Sequence, residues 1–169
     1  MLAKDFHGEK AVKAKPNVRG NITMWVMGIL AVASLVSAYW MAIGLVVFLA
    51  TGTVFVMMFR ERNIEYEYSV ANDDIEIAKI INQKRRRMAI QFNTNDIKLI
   101  APEDSQRLAN ERERDPGMRY TDYTSQEPKD KVYGFELDLR GIHTIILLEP
   151  TEAMMENFRQ RIPNKIYED

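Results

Sequence analysis

The chain has 169 residues, no Cys, 2 His and a formal net charge of −1. The absence of Cys excludes a disulfide framework, a CxxC redox motif and a thiolate metal site. The part from residue 60 onward is slightly acidic, with 18 basic and 22 acidic side chains. This balance argues against nucleic-acid binding, which needs a strongly basic surface.

The longest uniform feature is a stretch of 40 residues, Gly20–Phe59, without one charged side chain. As a single helix it would measure about 60 Å, roughly twice the hydrocarbon thickness of a bilayer. Two helices fit better, so the sequence predicts a transmembrane hairpin over residues 20–60. The helices are placed at about 21–37 and 41–59, with a turn near Ser37–Trp40. The stretch is too long for a signal peptide, and its lack of ionisable groups argues against transport.

Basic side chains flank both ends of the uncharged stretch, whereas the predicted turn carries none. Residues 1–19 hold 5 basic and 2 acidic groups, and are predicted to be a basic cytoplasmic leader in which His7 is disordered. By the positive-inside rule both termini are cytoplasmic, which predicts a multi-pass protein of the plasma membrane. Aromatic and basic residues anchor helix ends at the membrane interface. The predicted anchors are Arg19, Trp25, Tyr39, Trp40, Arg60 and Arg62.

Residues 61–169 are predicted to form one cytoplasmic domain. Apolar and polar residues alternate there with a period of two, which is typical of half-buried strands. The predicted strands lie at about 64–70, 75–77, 88–92, 97–99, 118–124 and 133–139, and an apolar run at 142–148 predicts a further, buried strand. A short helix capped by Asp104 is predicted to reach about Arg112. A C-terminal helix capped by Thr151 is predicted to present one apolar face, made of Met154, Met155, Phe158 and Ile162.

Seven or so antiparallel strands followed by an amphipathic C-terminal helix are the order of a pleckstrin-homology (PH)-like barrel. Two segments carry a closer resemblance: IEYEYSVANDDIEIAKIINQKRRRM after the hairpin and ILLEPTEAMMENFRQRIPNKIY near the end. They resemble an uncharacterised family of small bacterial membrane proteins that pair two transmembrane helices with a bacterial PH-like domain. The resemblance covers residues 20–169. It implies an α+β membrane protein, in which a transmembrane helical hairpin is followed by a PH-like antiparallel β-barrel or sandwich capped by the C-terminal helix. The family has no assigned activity to carry over.

The candidate site is the basic run Lys84-Arg85-Arg86-Arg87. Close to a bilayer it could contact anionic lipid headgroups, at about 1 kcal/mol per basic residue. The alternative is a topological anchor that forms the solvated start of a strand. No catalytic, cofactor or metal site is predicted, because the common nucleotide, hydrolase and zinc motifs are absent. His143 is interpreted as an ordinary sheet residue.

These features predict a non-enzymatic, membrane-anchored PH-like scaffold that binds a protein partner or the anionic lipid surface. The alternative is an accessory or assembly subunit of a larger membrane complex, which docks through its transmembrane hairpin. The predicted partners are the lipid bilayer and unidentified proteins, with oligomerisation through the hairpin left open and nucleic acid excluded.

Overall fold

A computed structural model describes residues 5–168 of the chain. Its hairpin consists of α1 (Val18–Ser37) and α2 (Ile43–Arg60). Both helices are long and apolar enough to cross a membrane, so the two predicted helices are present. α1 begins almost one turn earlier than predicted because Asn17 caps it, accepting a hydrogen bond from Gly20 N at 3.0 Å.

The turn of the hairpin occupies residues 38–42 and depends on Gly44. A Cβ at position 44 would lie 2.6 Å from the backbone nitrogen of Ala38, so a larger residue would push the two helix ends apart. Tyr39 and Trp40 project from this turn with their ring centroids 5.1 Å apart, edge to face. The predicted position of the turn is therefore correct to within a few residues.

The first sheet contains 4 antiparallel strands in the order β1-β2-β3-β4. They are β1 (His7–Lys13), β2 (Ile64–Ala71), β3 (Asp74–Ile81) and β4 (Arg85–Asn93). β1 pairs with β2 over its whole length, from His7 opposite Ala71 to Lys13 opposite Glu65. The helical hairpin is consequently an insertion between two neighbouring strands.

The prediction that residues 1–19 are a leader outside the domain, with His7 disordered, is wrong for β1. The strand has the sequence HGEKAVK, in which Val12 is the buried apolar side chain. One apolar position is too weak a pattern to mark a strand. Without β1, β2 would be an edge strand with unpaired backbone N–H and C=O groups. Pairing with β1 satisfies these groups, so β1 becomes recognisable only from the tertiary structure.

The second sheet also has 4 strands, in the order β5-β7-β8-β6. They are β5 (Ile97–Pro102), β6 (Arg119–Asp122), β7 (Tyr133–Leu139) and β8 (Ile142–Leu148). β6 runs parallel to β8, so the prediction of an entirely antiparallel domain is wrong at this strand. The reason is α3 (Gln106–Arg114), which carries the chain from one edge of the sheet to the other, the kind of crossover that parallel strands require.

Helix α3 is held against the second sheet by one apolar side chain. Leu108 is buried with Ile145 and packs over Gly134, where any Cβ would collide with it. The cap of α3 is Ser105, whose Oγ accepts from Leu108 N at 3.3 Å, rather than the predicted Asp104. The predicted helix is present, and its cap is displaced by one residue.

The two sheets enclose one apolar core that α4 (Glu152–Arg161) completes. Met154, Met155 and Phe158 are buried in this core, as their helical spacing predicted. Phe158 meets Phe135 of β7 edge to face, with ring centroids 5.6 Å apart. The predicted order of β-sheets followed by a C-terminal helix is confirmed.

Helix α4 closes the end of the sandwich at which β2 turns into β3. Arg161 bonds the Asp73 carboxylate at 2.7 Å and the Asn72 side-chain oxygen at 3.0 Å. Asn157 donates to the Asn72 carbonyl at 3.0 Å. Because β2 and β3 reverse direction here, the hairpin and the β3–β4 turn lie at the opposite end. One end of the sandwich is therefore closed by α4, and the other faces the hairpin.

The insertion predicts that the hairpin is dispensable for folding of the sandwich and that β1 is not. If Asn-Gly replaces residues 16–62, Lys15 and Asn63 continue the β1–β2 ladder into a two-residue turn. We expect this shortened domain to unfold cooperatively in a thermal melt followed by circular dichroism. A fragment of residues 61–168 lacks β1, and we expect it to show no cooperative transition. A cooperative melt of that fragment would contradict the role assigned to β1.

Candidate functional site at the base of the hairpin

The base of the hairpin is the place where the chain leaves and re-enters the first sheet. Ala14 N donates to the Ile64 carbonyl at 2.9 Å, so both arms of the hairpin start from neighbouring backbones. The β3–β4 turn lies beside them, since Asn82 N donates to the Asn63 carbonyl at 2.7 Å. The predicted basic run, Lys84–Arg87, follows this turn directly and therefore lies at the base of the hairpin.

The side chains of the basic run do not share one environment. Arg86 lies on the outer face of the first sheet and forms ion pairs with Glu67 at 3.0 Å and Glu76 at 3.3 Å. Arg85 and Arg87 alternate with Arg86 along the strand, so they lie on the inner face of the sheet. Neither of them, nor Lys84 in the turn, forms an ion pair with any residue that the structure describes. Three of the four charges thus remain open to a ligand.

The predicted interface anchors lie along the hairpin. Arg19, Arg60 and Arg62 are exposed at its base, and Tyr39 and Trp40 are exposed at its turn. Trp25 lies about two turns into α1, with its ring centroid 6.5 Å from that of Phe55 on α2. The Arg62 guanidinium lies 5.2 Å from the centroid of the Phe59 ring. The spacing suits the predicted anchoring roles, which remain predictions.

A group of residues that we call the entry latch connects the start of the hairpin to the second sheet. It consists of Ala14, Lys15, Asp122, Thr124 and Ser125. Lys15 Nζ donates to Asp122 at 2.7 Å, and Thr124 donates to the same carboxylate through N at 2.9 Å and Oγ1 at 2.7 Å. Ala14 and Ser125 form an antiparallel bridge. The entry latch thus fixes the direction in which the chain leaves the sandwich.

Lys15 and Asp122 of the entry latch shift each other's pKa. Partial burial acts to raise the pKa of Asp122, but the hydrogen bonds from Lys15 and Thr124 outweigh it and lower that pKa below its usual range. The hydrogen bond to Asp122 raises the pKa of Lys15, against the opposing effect of burial. The pair is therefore fully charged over the whole neutral range.

Beneath the entry latch lies a buried carboxylate. Glu149 is 1% exposed and accepts a hydrogen bond from Ser125 N. Its Oε2 lies 3.6 Å from Lys10 Nζ, which also donates to Asp130 at 2.8 Å. Lys10 is itself only 14% exposed at its side chain. The ammonium and the amide offset a carboxylate that would be costly to bury alone.

A cleft of about 950 Å³ separates the base of the hairpin from the open end of the sandwich. Its apolar wall includes Val12, Met24, Met58, Ile64 and Ile81. Its polar wall includes the Lys10–Glu149 pair and the cations Arg62, Lys79 and Lys129. We call it the base cleft.

Sequence reasoning missed the base cleft because its walls come from segments far apart in the chain. One signal was present in β3, where Lys79 occupies the same face as the buried Ile75 and Ile77. A lysine on the core-facing side of a strand marks an opening in the core at that position.

The histidines lie away from the base cleft. His143 Nδ1 is 4.0 Å from Glu136 on the second sheet, and His7 Nε2 is 3.2 Å from the exposed Glu9. Residues 5–168 contain no group of three or more His, Cys, Asp or Glu side chains that could hold a metal ion. The charged residues that line the base cleft are mainly lysine and arginine.

Comparison with protein families agrees with this architecture. The family described as bacterial PH-like domain (DUF6106) matches residues 4–168. The chain belongs to this family. The match extends over β1 and both hairpin helices as well as the sandwich, so the resemblance predicted from two segments of the PH-like domain is confirmed over nearly the whole chain. No curated protein and no solved structure matches it.

The entry latch of the PH-like domain generates a pH-dependent prediction. Because the folded pKa of Asp122 is lowered, its stabilising effect is complete above the unfolded value of about 3.9 and is lost as the pH falls through the folded value. Because the folded pKa of Lys15 is raised, its effect is complete below about 10.4 and is lost as the pH rises through the folded value. Between these limits we expect a coupling of about 0.5–1 kcal/mol, as for a half-exposed ion pair.

This coupling is measurable by hydrogen exchange of full-length protein in detergent, corrected for the intrinsic pH dependence of exchange. Lys15→Met and Asp122→Asn should each increase exchange in peptides spanning 119–130 at pH 7, and the double variant should add little. Lys13→Met is the control. It also removes one lysine charge, but Lys13 is exposed on β1 and forms no ion pair with a residue that the structure describes. Equal effects of Lys13→Met and Lys15→Met would show that net charge, and not the entry latch, protects this segment.

Proposed function

We propose that the chain is a membrane-anchored PH-like scaffold whose domain contacts the anionic cytoplasmic surface of the cell membrane. The observation that carries this proposal is the exposure of the hairpin. Only 17% of the apolar window of α1 and 6% of that of α2 are buried, and Ile29 and Val46 are about two-thirds exposed. Exposure of this extent favours helices that are surrounded by lipid or by other helices over helices that form the core of a soluble domain.

The charges around the hairpin support the proposed orientation. Basic residues lie at its base, at Arg19, Arg60 and Arg62, whereas the turn at residues 38–42 carries no charge. The positive-inside rule places such a base in the cytoplasm. Both termini would then be cytoplasmic, with Tyr39 and Trp40 at the far interface.

The basic run supports contact with lipid. The β3–β4 turn lies beside the base of the hairpin, because Asn82 N donates to the Asn63 carbonyl at 2.7 Å. In the proposed orientation this base lies at the level of the lipid headgroups. Lys84, Arg85 and Arg87 have no ion pair among the described residues, whereas Arg86 is engaged by two glutamates. Membership of a PH-like family supports a scaffold role rather than catalysis. We therefore assign the lipid contact to Lys84, Arg85 and Arg87.

The exposed helices also favour a second function, docking of the hairpin against helices of a larger membrane complex. Lipid and partner helices are both apolar, so exposure alone fits either occupant. Crosslinking and affinity purification from native membranes separates them. A stoichiometric membrane partner that is lost when the hairpin is exchanged for an unrelated one would favour the accessory-subunit function.

The lipid contact predicts a salt-sensitive change in the position of the domain. The chain has no Cys, so Ala153→Cys on the exposed side of α4 provides a single site for a fluorescent donor. With a headgroup-labelled acceptor in nanodiscs, we expect greater energy transfer when phosphatidylglycerol is mixed with phosphatidylcholine. The variant Lys84→Gln/Arg85→Gln/Arg87→Gln should weaken the docking equilibrium by roughly 100-fold, since each basic residue contributes about 1 kcal/mol.

The matched control is Arg86→Gln, which removes a charge from the same strand. We expect it to retain most of the docking because its guanidinium is already paired with Glu67 and Glu76. Energy transfer that does not respond to phosphatidylglycerol or to salt would count against lipid contact by the domain.

A further inference from the structure

We propose that the base cleft binds one anionic phospholipid, with its phosphate among Arg62, Lys79 and Lys129 and its acyl chains along the hairpin. This inference rests on the proposed function, because the acyl chains require the hairpin to lie in a bilayer. It adds a saturable site for a single lipid to the general contact made by the basic run.

The placement of Lys79 is the first argument. Lys79 lies on the inner face of β3, directly opposite Arg87 on β4 and Tyr66 on β2. Two like charges at directly opposed positions destabilise an antiparallel pair. Neither cation forms an ion pair with a residue that the structure describes, and Lys79 is half-buried. An anion in the base cleft would relieve this repulsion.

The second argument is the balance of charge around the cleft. Some charges of its wall are already neutralised, since Lys10 pairs with Glu149 and Lys15 with Asp122. Among the remaining described lining residues, 4 cations and 2 carboxylates have no ion pair. The cations are Lys13, Arg62, Lys79 and Lys129, and the carboxylates are Glu61 and Glu127. The excess positive charge suits a phosphate group.

Convergence from separate elements is the third argument. Arg62 follows α2, Lys79 lies within β3, and Lys129 belongs to the connection between β6 and β7. A surface that only set membrane topology would need positive charge near the helices but no shared cavity. Here the three cations line the same cavity, which is the arrangement that a bound headgroup requires.

The apolar wall decides between a lipid and a free phosphate compound. Met58 of α2 is partly exposed in the cleft beside Met24 of α1, which is buried, so the wall continues into the apolar surface of the hairpin. Ile64 and Ile81 complete this wall on the side of the sandwich. A soluble phosphate would leave the partly exposed Met58, Ile64 and Ile81 without an apolar partner, whereas a phospholipid uses the charged and the apolar parts together.

Native mass spectrometry of the full-length protein in detergent tests the inference, with dioleoylphosphatidylglycerol, dioleoylphosphatidylcholine and inorganic phosphate as probes. We expect one phosphatidylglycerol to be retained saturably and in preference to phosphatidylcholine. Lys79→Gln and Lys129→Gln should each weaken this retention roughly tenfold, the loss of one hydrogen bond to a charged group. Arg86→Gln is the control on the outer face and should leave retention unchanged.

Three outcomes would overturn the inference. They are equal retention of the two lipids, retention unaffected by Lys79→Gln and Lys129→Gln, and displacement of the lipid by millimolar inorganic phosphate, which would indicate a soluble phosphate ligand. Thermal melts confirm that the variants fold, and a photoactivatable phosphatidylglycerol should label peptides of the base cleft independently of any variant. Failure here is distinguishable from failure of the proposed function, because the docking signal from Ala153→Cys depends on Lys84, Arg85 and Arg87.

Discussion

The structure depends on the pairing of β1 with β2 on either side of the helical hairpin. Paired antiparallel strands lie about 5 Å apart, whereas packed helices lie about 8–10 Å apart. The short segments 15–17 and 61–63 connect the strands to the helices and bridge the difference between the two spacings. The hairpin therefore continues from the end of the first sheet through two short connections. These connections restrict the movement of the sandwich relative to the hairpin more than a single leader would.

This coupling gives the two ends of the sandwich different chemistry. At the far end, Arg161 fastens α4 to the β2–β3 turn, and the apolar core is closed. At the near end, the core opens into the base cleft and the charged pairs lie at its margin. The apolar core is therefore closed at one end of the sandwich and borders the base cleft at the other.

The sequence predicted those elements whose patterns are strong and local. The uncharged stretch is sufficient for the hairpin, alternation for β7, a continuous apolar run for β8, and the helical spacing of apolar residues for α4. β1 was missed because a strand with a single buried apolar residue becomes recognisable only through its partner. The parallel direction of β6 was missed because its four residues carry no information about orientation.

The site was predictable in composition but not in geometry. The basic run was identified from sequence, yet the difference between Arg86 and its neighbours depends on strand register, including the irregularity between Ile77 and Ala78. The base cleft needs contacts between segments separated by more than a hundred residues, such as Lys10 with Glu149. No local pattern can encode such a contact.

The position of Lys79 shows why topology alone does not account for the charges at the base. A topological signal requires only that basic residues lie near the helix ends, and an exposed position satisfies it at little cost. Lys79 instead lies half-buried on the inner face of β3, directly opposite Arg87 of β4, and like charges at opposed positions destabilise a strand pair. Moving that charge to the outer face would satisfy topology equally well. Its inward placement is therefore the observation that most directly supports the proposed anion site in the base cleft.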